Sequence, residues 1–281
     1  MPGANSVTSN QETIHKDLEE VVRKYARTTF LRPIAEHTRE AFAEAEEFVR
    51  KFYEIATSSA KADPGPSTST SAGSVSHSGT FTKAVILDSG CGTGESTIHI
   101  ARRFPNIPVI GIDKSFARLN KAGNPSQTAG EDVPPNAFWI RAELLDFWRL
   151  ALDRVNAGEW TIPYHAVYYP NPWPKQSEAT RRFHMHPIFP TLLALGGVTE
   201  LRTNWEIYAR EFAEAARIVL SECTEAGTVT EMGVATAAGM TSEAAMTIKC
   251  EPFDPAAPET AFERKYKEAR QTLWRVIVGR T

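Results

Sequence analysis

At 281 residues, with 42% apolar and 23% charged side chains, the chain has the make-up of a soluble globular protein, one large domain with additions. The net charge of −3 and a pI near 6.2 exclude a surface that is basic throughout, so any contact with nucleic acid must use a local patch. Cys91, Cys223 and Cys250 are widely spaced and odd in number, which argues against a disulfide framework or a metal cluster, and no apolar run approaches the ~20 residues of a membrane span.

Residues 1 to about 11 are polar and then acidic, unlike a secretory signal or a basic transit peptide, and are expected to be disordered. With the reduced cysteines this points to the cytoplasm or nucleus. From Glu12 to Tyr53 the pattern is helical, with Leu18, Val21, Val22 and Tyr25 on one stripe and Ala41, Ala45, Phe48 and Phe52 on another. Pro33 divides it into two helices, expected to cover a sheet. Residues 1–57 therefore read as an N-terminal helical extension and 58–80 as a flexible linker, because Ala62 to Ser78 is rich in Ser, Thr, Gly and Pro. In the remaining domain, 81–281, short apolar runs predict strands at 83–87, 108–112, 137–141, 165–169, 198–203, 246–250 and 273–278. Helical stretches lie between most of them. The expectation is an α/β fold, a doubly wound seven-stranded sheet closed by a C-terminal pair, with a loop insertion near 222–245.

The most informative stretch is Val85-Ile-Leu-Asp-Ser-Gly-Cys-Gly-Thr-Gly-Glu-Ser-Thr97. A strand runs into Asp88, then Gly90, Gly92 and Gly94 alternate through a turn before a helix opens at Glu95. Glycines so placed let the backbone take positive φ and approach a ligand closely, with N–H groups of a helix start facing it. The next strand, Pro108-Val-Ile-Gly-Ile-Asp113, ends in an acid, the position from which ribose hydroxyls are read in such crevices. An ordinary βαβ unit with an N-capping Asp is the plainer alternative. Cys91 reads as a small loop residue rather than a nucleophile. This Asp-x-Gly-x-Gly-x-Gly spacing resembles the first motif of S-adenosylmethionine-dependent methyltransferases.

After the fourth strand, Tyr169-Pro-Asn-Pro-Trp-Pro-Lys175 is a stiff loop at a carboxyl end, followed by Arg181-Arg182. It suits either a substrate-holding loop or a structural Pro-rich turn. The loop is similar to the Pro-Asp-Pro-Trp-x-Lys and Arg-Arg of the class I tRNA (guanine-N7)-methyltransferases. Leu201-Arg-Thr-Asn-Trp-Glu-Ile-Tyr208 resembles that family's Thr-Asp-Trp-Glu-x-Tyr, and Thr260-Ala-Phe-Glu263 its Thr-x-Phe-Glu. The matches run in the same order over roughly 83–278. The resemblance implies a Rossmann-like methyltransferase sheet and S-adenosylmethionine held by Asp88, Gly90, Gly92, Asp113, Ala142, Glu143 and Tyr169. It implies a guanine of tRNA met by Asn171, Arg181, Asn204, Thr260 and Glu263, with Arg181 and Arg182 also offering phosphate contacts. Glu143 reads equally as an acid favoured at a helix N-terminus.

Two departures mark a divergent member: Asn171 and Asn204 stand where the family has Asp. Guanine N7 carries a free lone pair, so alignment in a dry site is the main requirement. Carboxylates would read the guanine N–H donors, and an amide would do so without charge, at about half the strength. The expected function is methyl transfer from S-adenosylmethionine to guanine N7 in tRNA. Transfer to a different acceptor, or a transfer-deficient tRNA-binding scaffold, remain as alternatives. The expected partner is tRNA, with an accessory subunit left open and neither membrane nor metal involved.

Overall fold

A computed structural model describes residues 6–62, 81–121, 133–225 and 246–280. In chain order the elements are α1 (Leu18–Ala26), α2 (Glu36–Ala62), β1 (Lys83–Ala84), β2 (Ile86–Ser89), α3 (Glu95–Arg103), β3 (Val109–Asp113) and α4 (Phe116–Lys121). There follow β4 (Ala137–Arg141), α5 (Leu144–Asn156), β5 (Trp160–Thr161), β6 (Tyr164–Tyr168) and two short 3-10 turns, Gln176–Arg181 and Phe183–Met185. The chain continues through α6 (Phe189–Ala194), β7 (Val198–Thr203), α7 (Glu206–Glu225), β8 (Met246–Phe253), α8 (Ala261–Glu268) and β9 (Leu273–Arg280). The class is α/β with a seven-stranded sheet, as the apolar runs implied. Among the described residues no helix is long and apolar enough to cross a membrane.

Two units divide the chain: Ile34–Pro163, and Met1–Pro33 with Tyr164–Thr281. In the first, β4, β3 and β2 lie side by side in parallel. The run expected as one strand at 83–87 is broken at Val85, where the chain changes partner. Val85 N donates to Thr161 O at 2.8 Å beside β5, and Ile86 N donates to Pro108 O at 2.9 Å beside β3. β2 and β3 are buried along their whole lengths, which explains why they read as continuous apolar runs. Helix α2 turns Phe42, Ala45 and Val49 inward, with Phe42 5.0 Å from the Phe147 ring and Phe48 stacked on Phe138 at 4.8 Å.

In the second unit β6 and β7 are parallel, while β9 runs antiparallel to both β7 and β8. Helix α1 buries Leu18, Val22 and Ala26, one residue per turn, against α7. Arg23 and Arg27 pair with Glu222 near the end of that helix.

The N-terminal part differs from the expected extension of 1–57. Its two helices belong to different units, split at Pro33, and α1 packs on helices instead of on a sheet. Order also begins earlier than residue 11. Ser9 Oγ donates to Pro174 O at 2.6 Å, and Gln11 is buried. Helix α2 runs on to Ala62, into the stretch read as a linker, and the rest of that stretch lies outside the described residues. Of the insertion placed near 222–245, the first four residues are the last turn of α7 and the remainder also lies outside the described residues.

Candidate active site

In the unit Ile34–Pro163 the glycine loop is fixed from both sides. Gly90, Gly92 and Gly94 have φ of 78°, 60° and 81°, a region closed to most side chains. Gly90 N and Cys91 N both donate to Ile112 O, at 2.7 and 3.1 Å, and tie the loop to the end of β3. Asp88, buried at the tip of β2, accepts hydrogen bonds from Ser96 Oγ and Thr97 Oγ1, each at 2.6 Å. Its carboxylate thereby anchors the first turn of α3. Burial, with the charges of Asp88 and Asp113, pushes the Cys91 thiol well above its usual range, so it stays protonated and is no nucleophile.

Asp113 is 2% exposed at the tip of β3. Its Oδ1 accepts from Ser115 N at 2.7 Å, and its Oδ2 from Gly92 N at 3.0 Å and Arg118 Nη1 at 3.1 Å. The glycine loop and the acid expected to work with it are thus directly bonded. Ala142 is buried and its N–H donates to Asp113 O at 3.2 Å. Glu143 is the N-cap of α5 without a side-chain cap bond, and its N–H donates to Thr38 Oγ1 at 3.2 Å. A Cβ at Gly90 would meet nothing within 4 Å, so the space over that part of the loop is open. Gly94 is different: its Cβ would lie 2.0 Å from Trp139 Nε1, whose N–H donates to Gly94 O at 3.2 Å.

The unit that contains the Pro-rich loop holds two buried ionic clusters. The first centres on Arg202, which projects from β7 and is 3% exposed. Its Nε donates to Glu200 Oε1 at 2.6 Å, and its Nη1 to Glu263 Oε1 at 2.8 Å, with Glu259 Oε2 at 3.3 Å. Burial alone would lower the pKa of this guanidinium, but Tyr168 and the three carboxylates more than offset that and hold it firmly protonated. Three acids around one cation leave a formal surplus of two negative charges. Glu263 also accepts from Glu259 N at 2.6 Å and from the Tyr169 hydroxyl at 3.2 Å. Burial and the neighbouring Glu263 push the Tyr169 phenol far above its usual range, so it remains a donor. Thr260 is the N-cap of α8, its Oγ1 accepting from Glu263 N at 3.1 Å, a Thr-x-x-Glu cap whose acid turns back one residue beyond the usual amide.

The second cluster corrects a reading of the sequence. Arg182, expected to offer a phosphate contact, is fully buried. Its Nη1 donates to Glu211 Oε2 at 2.6 Å, its Nη2 to Gln11 Oε1 at 3.0 Å, and both Nε and Nη2 donate to Trp173 O. Glu211 further accepts from Gln11 Nε2 at 2.5 Å, His15 N at 2.7 Å and His184 Nε2 at 2.9 Å. Burial would raise the Glu211 carboxyl, but His184 and Arg182 outweigh it and hold it at about 2. This cluster ties the N-terminal segment to the Pro-rich loop. Arg181 is exposed instead, 3.3 Å above the Trp173 ring and 3.0 Å from Glu178.

Of the residues expected at one acceptor site, Thr260 and Glu263 come together, and Tyr169 joins them. Asn171 is exposed, its Oδ1 accepting from Trp173 N at 3.3 Å, and Asn204 donates to Gln271 Oε1 at 2.9 Å. No hydrogen bond links either amide to Glu263. Arg202, Glu200, Glu259, Glu211, Gln11 and Arg118 were missed by the sequence reading. The signal for the first two was present: charges at 200 and 202 fall on one face of a short strand in the middle of the sheet, and charges buried in a strand need partners.

A family model described as "Putative methyltransferase" matches residues 82–276. The chain belongs to that family. Among curated relatives of this chain, the tRNA (guanine-N(7)-)-methyltransferase of Mycolicibacterium gilvum is 31% identical over 46% of this chain and 49% of its own length. The enzyme of the same name from Neisseria meningitidis is 29% identical over 46% of this chain and 52% of its own. The chain thus spans about half the length of the curated relatives it matches. Among solved structures, the 16S rRNA methyltransferase KamB is similar with a TM-score of 0.42 and 16% identity, over 71% of this chain and 89% of that one. No group of three or more His, Cys, Asp or Glu among the described residues is arranged to hold a metal.

Proposed function

We propose that this methyltransferase-family protein moves the methyl group of S-adenosylmethionine to N7 of a guanine in tRNA. The observation that carries the reading is the pairing of Asp113 with the glycine loop: a buried carboxylate whose Oδ1 accepts a single N–H, beside a loop that is open above Gly90. Ribose hydroxyls are donors, and a carboxylate has about four acceptor sites, so the residues present fit that group. Asp113 would hold the ribose, the backbone at Gly90 and Gly92 would lie along the methionine part, and Glu143 would stand toward the adenine. When bound, the cofactor supplies an electrophilic methyl on a sulfonium.

The protein's own task is then to orient the purine and exclude water, since N7 needs no base to expose its lone pair. Glu259 would accept from the donor edge of the base, with buried Glu263 holding Arg202 and Tyr169 behind it, and the surplus negative charge around Arg202 would favour the cationic purine that results. The names of the curated relatives support tRNA as acceptor and partner. Asn171 and Asn204, amides where the resembled family has acids, favour a second reading in which the acceptor differs.

The test is incubation with methyl-labelled S-adenosylmethionine and total RNA, followed by digestion to nucleosides. Label in 7-methylguanosine from tRNA is the expected result. Label in another nucleoside supports the second reading, and donor binding without any transfer sinks both.

A further inference from the structure

Helix α8 is packed inside out. The residue it buries is Glu263, while Phe262 beside it is 51% exposed, the reverse of an ordinary amphipathic helix. Phe262 does not stand alone. Its ring lies 6.1 Å from that of Tyr266 with planes 22° apart, and 6.1 Å from that of Tyr169 at 33°, while Tyr169 and Tyr266 are 5.6 Å apart at 48°. The three rings form a triangle of moderately tilted tiles rather than the edge-to-face packing usual in a core. The backbone is strained to build it: Tyr169 is a non-glycine residue with φ of 51°, held there by its N–H on Arg202 O at 2.8 Å. Beneath the rings the Tyr169 hydroxyl rests on Glu263, a buried carboxylate paired with Arg202, which fixes the Tyr169 ring in place.

We propose that Tyr169, Phe262 and Tyr266 form a stacking floor for a purine base, one that holds the positively charged N7-methylated guanine more tightly than guanine itself. The proposal rests on the guanine reading above and goes beyond it. An aromatic floor, with the Phe262 and Tyr266 rings nearest to parallel at 22°, matches the face of a base whatever its hydrogen-bonding edge. Methylation at N7 places a positive charge in the ring, which the electron-rich aromatic faces attract. Arg264 and Lys265, exposed on the same helix, carry the charge a nucleotide phosphate requires. The floor therefore recognises product better than substrate, and release of the methylated base slows turnover.

The full chain is titrated with 7-methylguanosine monophosphate and with guanosine monophosphate, followed by protein fluorescence, as wild type, Phe262→Ala and Phe262→Trp. Wild type is expected to bind the methylated nucleotide at least about 5-fold more tightly, Phe262→Ala to lose about 10-fold or more and most of the preference, and Phe262→Trp to keep both. Phe262 is half in solvent, so a thermal melt of Phe262→Ala is expected to keep one cooperative transition. Equal affinity of wild type for the two nucleotides, binding of neither, or binding by Phe262→Ala that equals wild type overturns the proposal. Methyl transfer to tRNA by the same preparations separates the two ideas. Wild-type transfer to guanine N7 with no nucleotide preference leaves the function standing and removes the floor. Transfer to no guanine with the nucleotide preference intact does the opposite.

Discussion

Gly111 shows how tightly the end of β3 is built against the glycine loop. A Cβ there would lie 2.4 Å from Thr97 Oγ1, 2.9 Å from Trp139 Cδ1 and 3.2 Å from Cys91 Sγ. Thr97 cannot swing aside cheaply, because its hydroxyl is bonded to buried Asp88 at 2.6 Å. Gly111→Ala is therefore expected to cost about 1–3 kcal/mol, the usual cost of overpacking, seen as a lower denaturation midpoint with an unchanged slope. An unchanged midpoint would show that the loop gives way without strain. The sequence disclosed Gly90, Gly92 and Asp113, since alternating glycines after a strand and an acid at the next strand's tip are local patterns. It did not disclose why Gly111 must be small. The atoms that crowd it come from α3, β4 and the loop, and local spacing is blind to them. Asn171 and Asn204 show the same limit: their family positions were legible, but their present partners, Trp173 N and Gln271, depend on how separate segments meet.

At the scale of elements the buried pair Arg182–Glu211 is the clearest case. An Arg-Arg after a stiff loop reads as exposed charge, and for Arg181 that reading holds, the side chain being 55% exposed. For Arg182 it fails, because the partner that buries it comes from the second turn of α7 and from Gln11, both remote in sequence. Breaking a buried pair by removing one member leaves the other charged and unpaired. Arg182→Met is accordingly expected to cost about 3–5 kcal/mol, and Glu211→Gln a comparable amount. The double variant should then lose less than the sum, by about 1 kcal/mol or more. A denaturation cycle in which the two costs add within about 0.5 kcal/mol would mean that the pair is not one unit. Strands and long helices were far easier to foresee. Apolar runs at 109–112 and 137–140 and the stripe of α2 are short-range signals, whereas the change of partner at Val85 and the short β5 arise from tertiary pairing.

At the scale of the whole molecule, the mild net charge of −3 conceals local concentrations of opposite sign. Much of the charge is spent internally, on Arg182 with Glu211 and on Arg202 with Glu200, Glu259 and Glu263. Composition alone cannot distinguish such struts from a binding surface, which is why the phosphate contacts expected of Arg181 and Arg182 lose a member once burial is known. The family match covers residues 82–276, the span that also holds the motifs legible in sequence. The segment before α1 carries no such motif, yet Gln11 and His15 are fastened to the same acid as the Pro-rich loop's arginine.

The central claim is that the glycine loop and Asp113 hold S-adenosylmethionine, and calorimetric titration of the full chain with that cofactor tests it most directly. Wild type should bind at one site, and Asp113→Ala should bind about 30- to 150-fold more weakly, the loss of ~2–3 kcal/mol that follows when a charged acceptor for two hydroxyls is removed. Unchanged affinity in Asp113→Ala, or no binding by the wild type, would contradict the account.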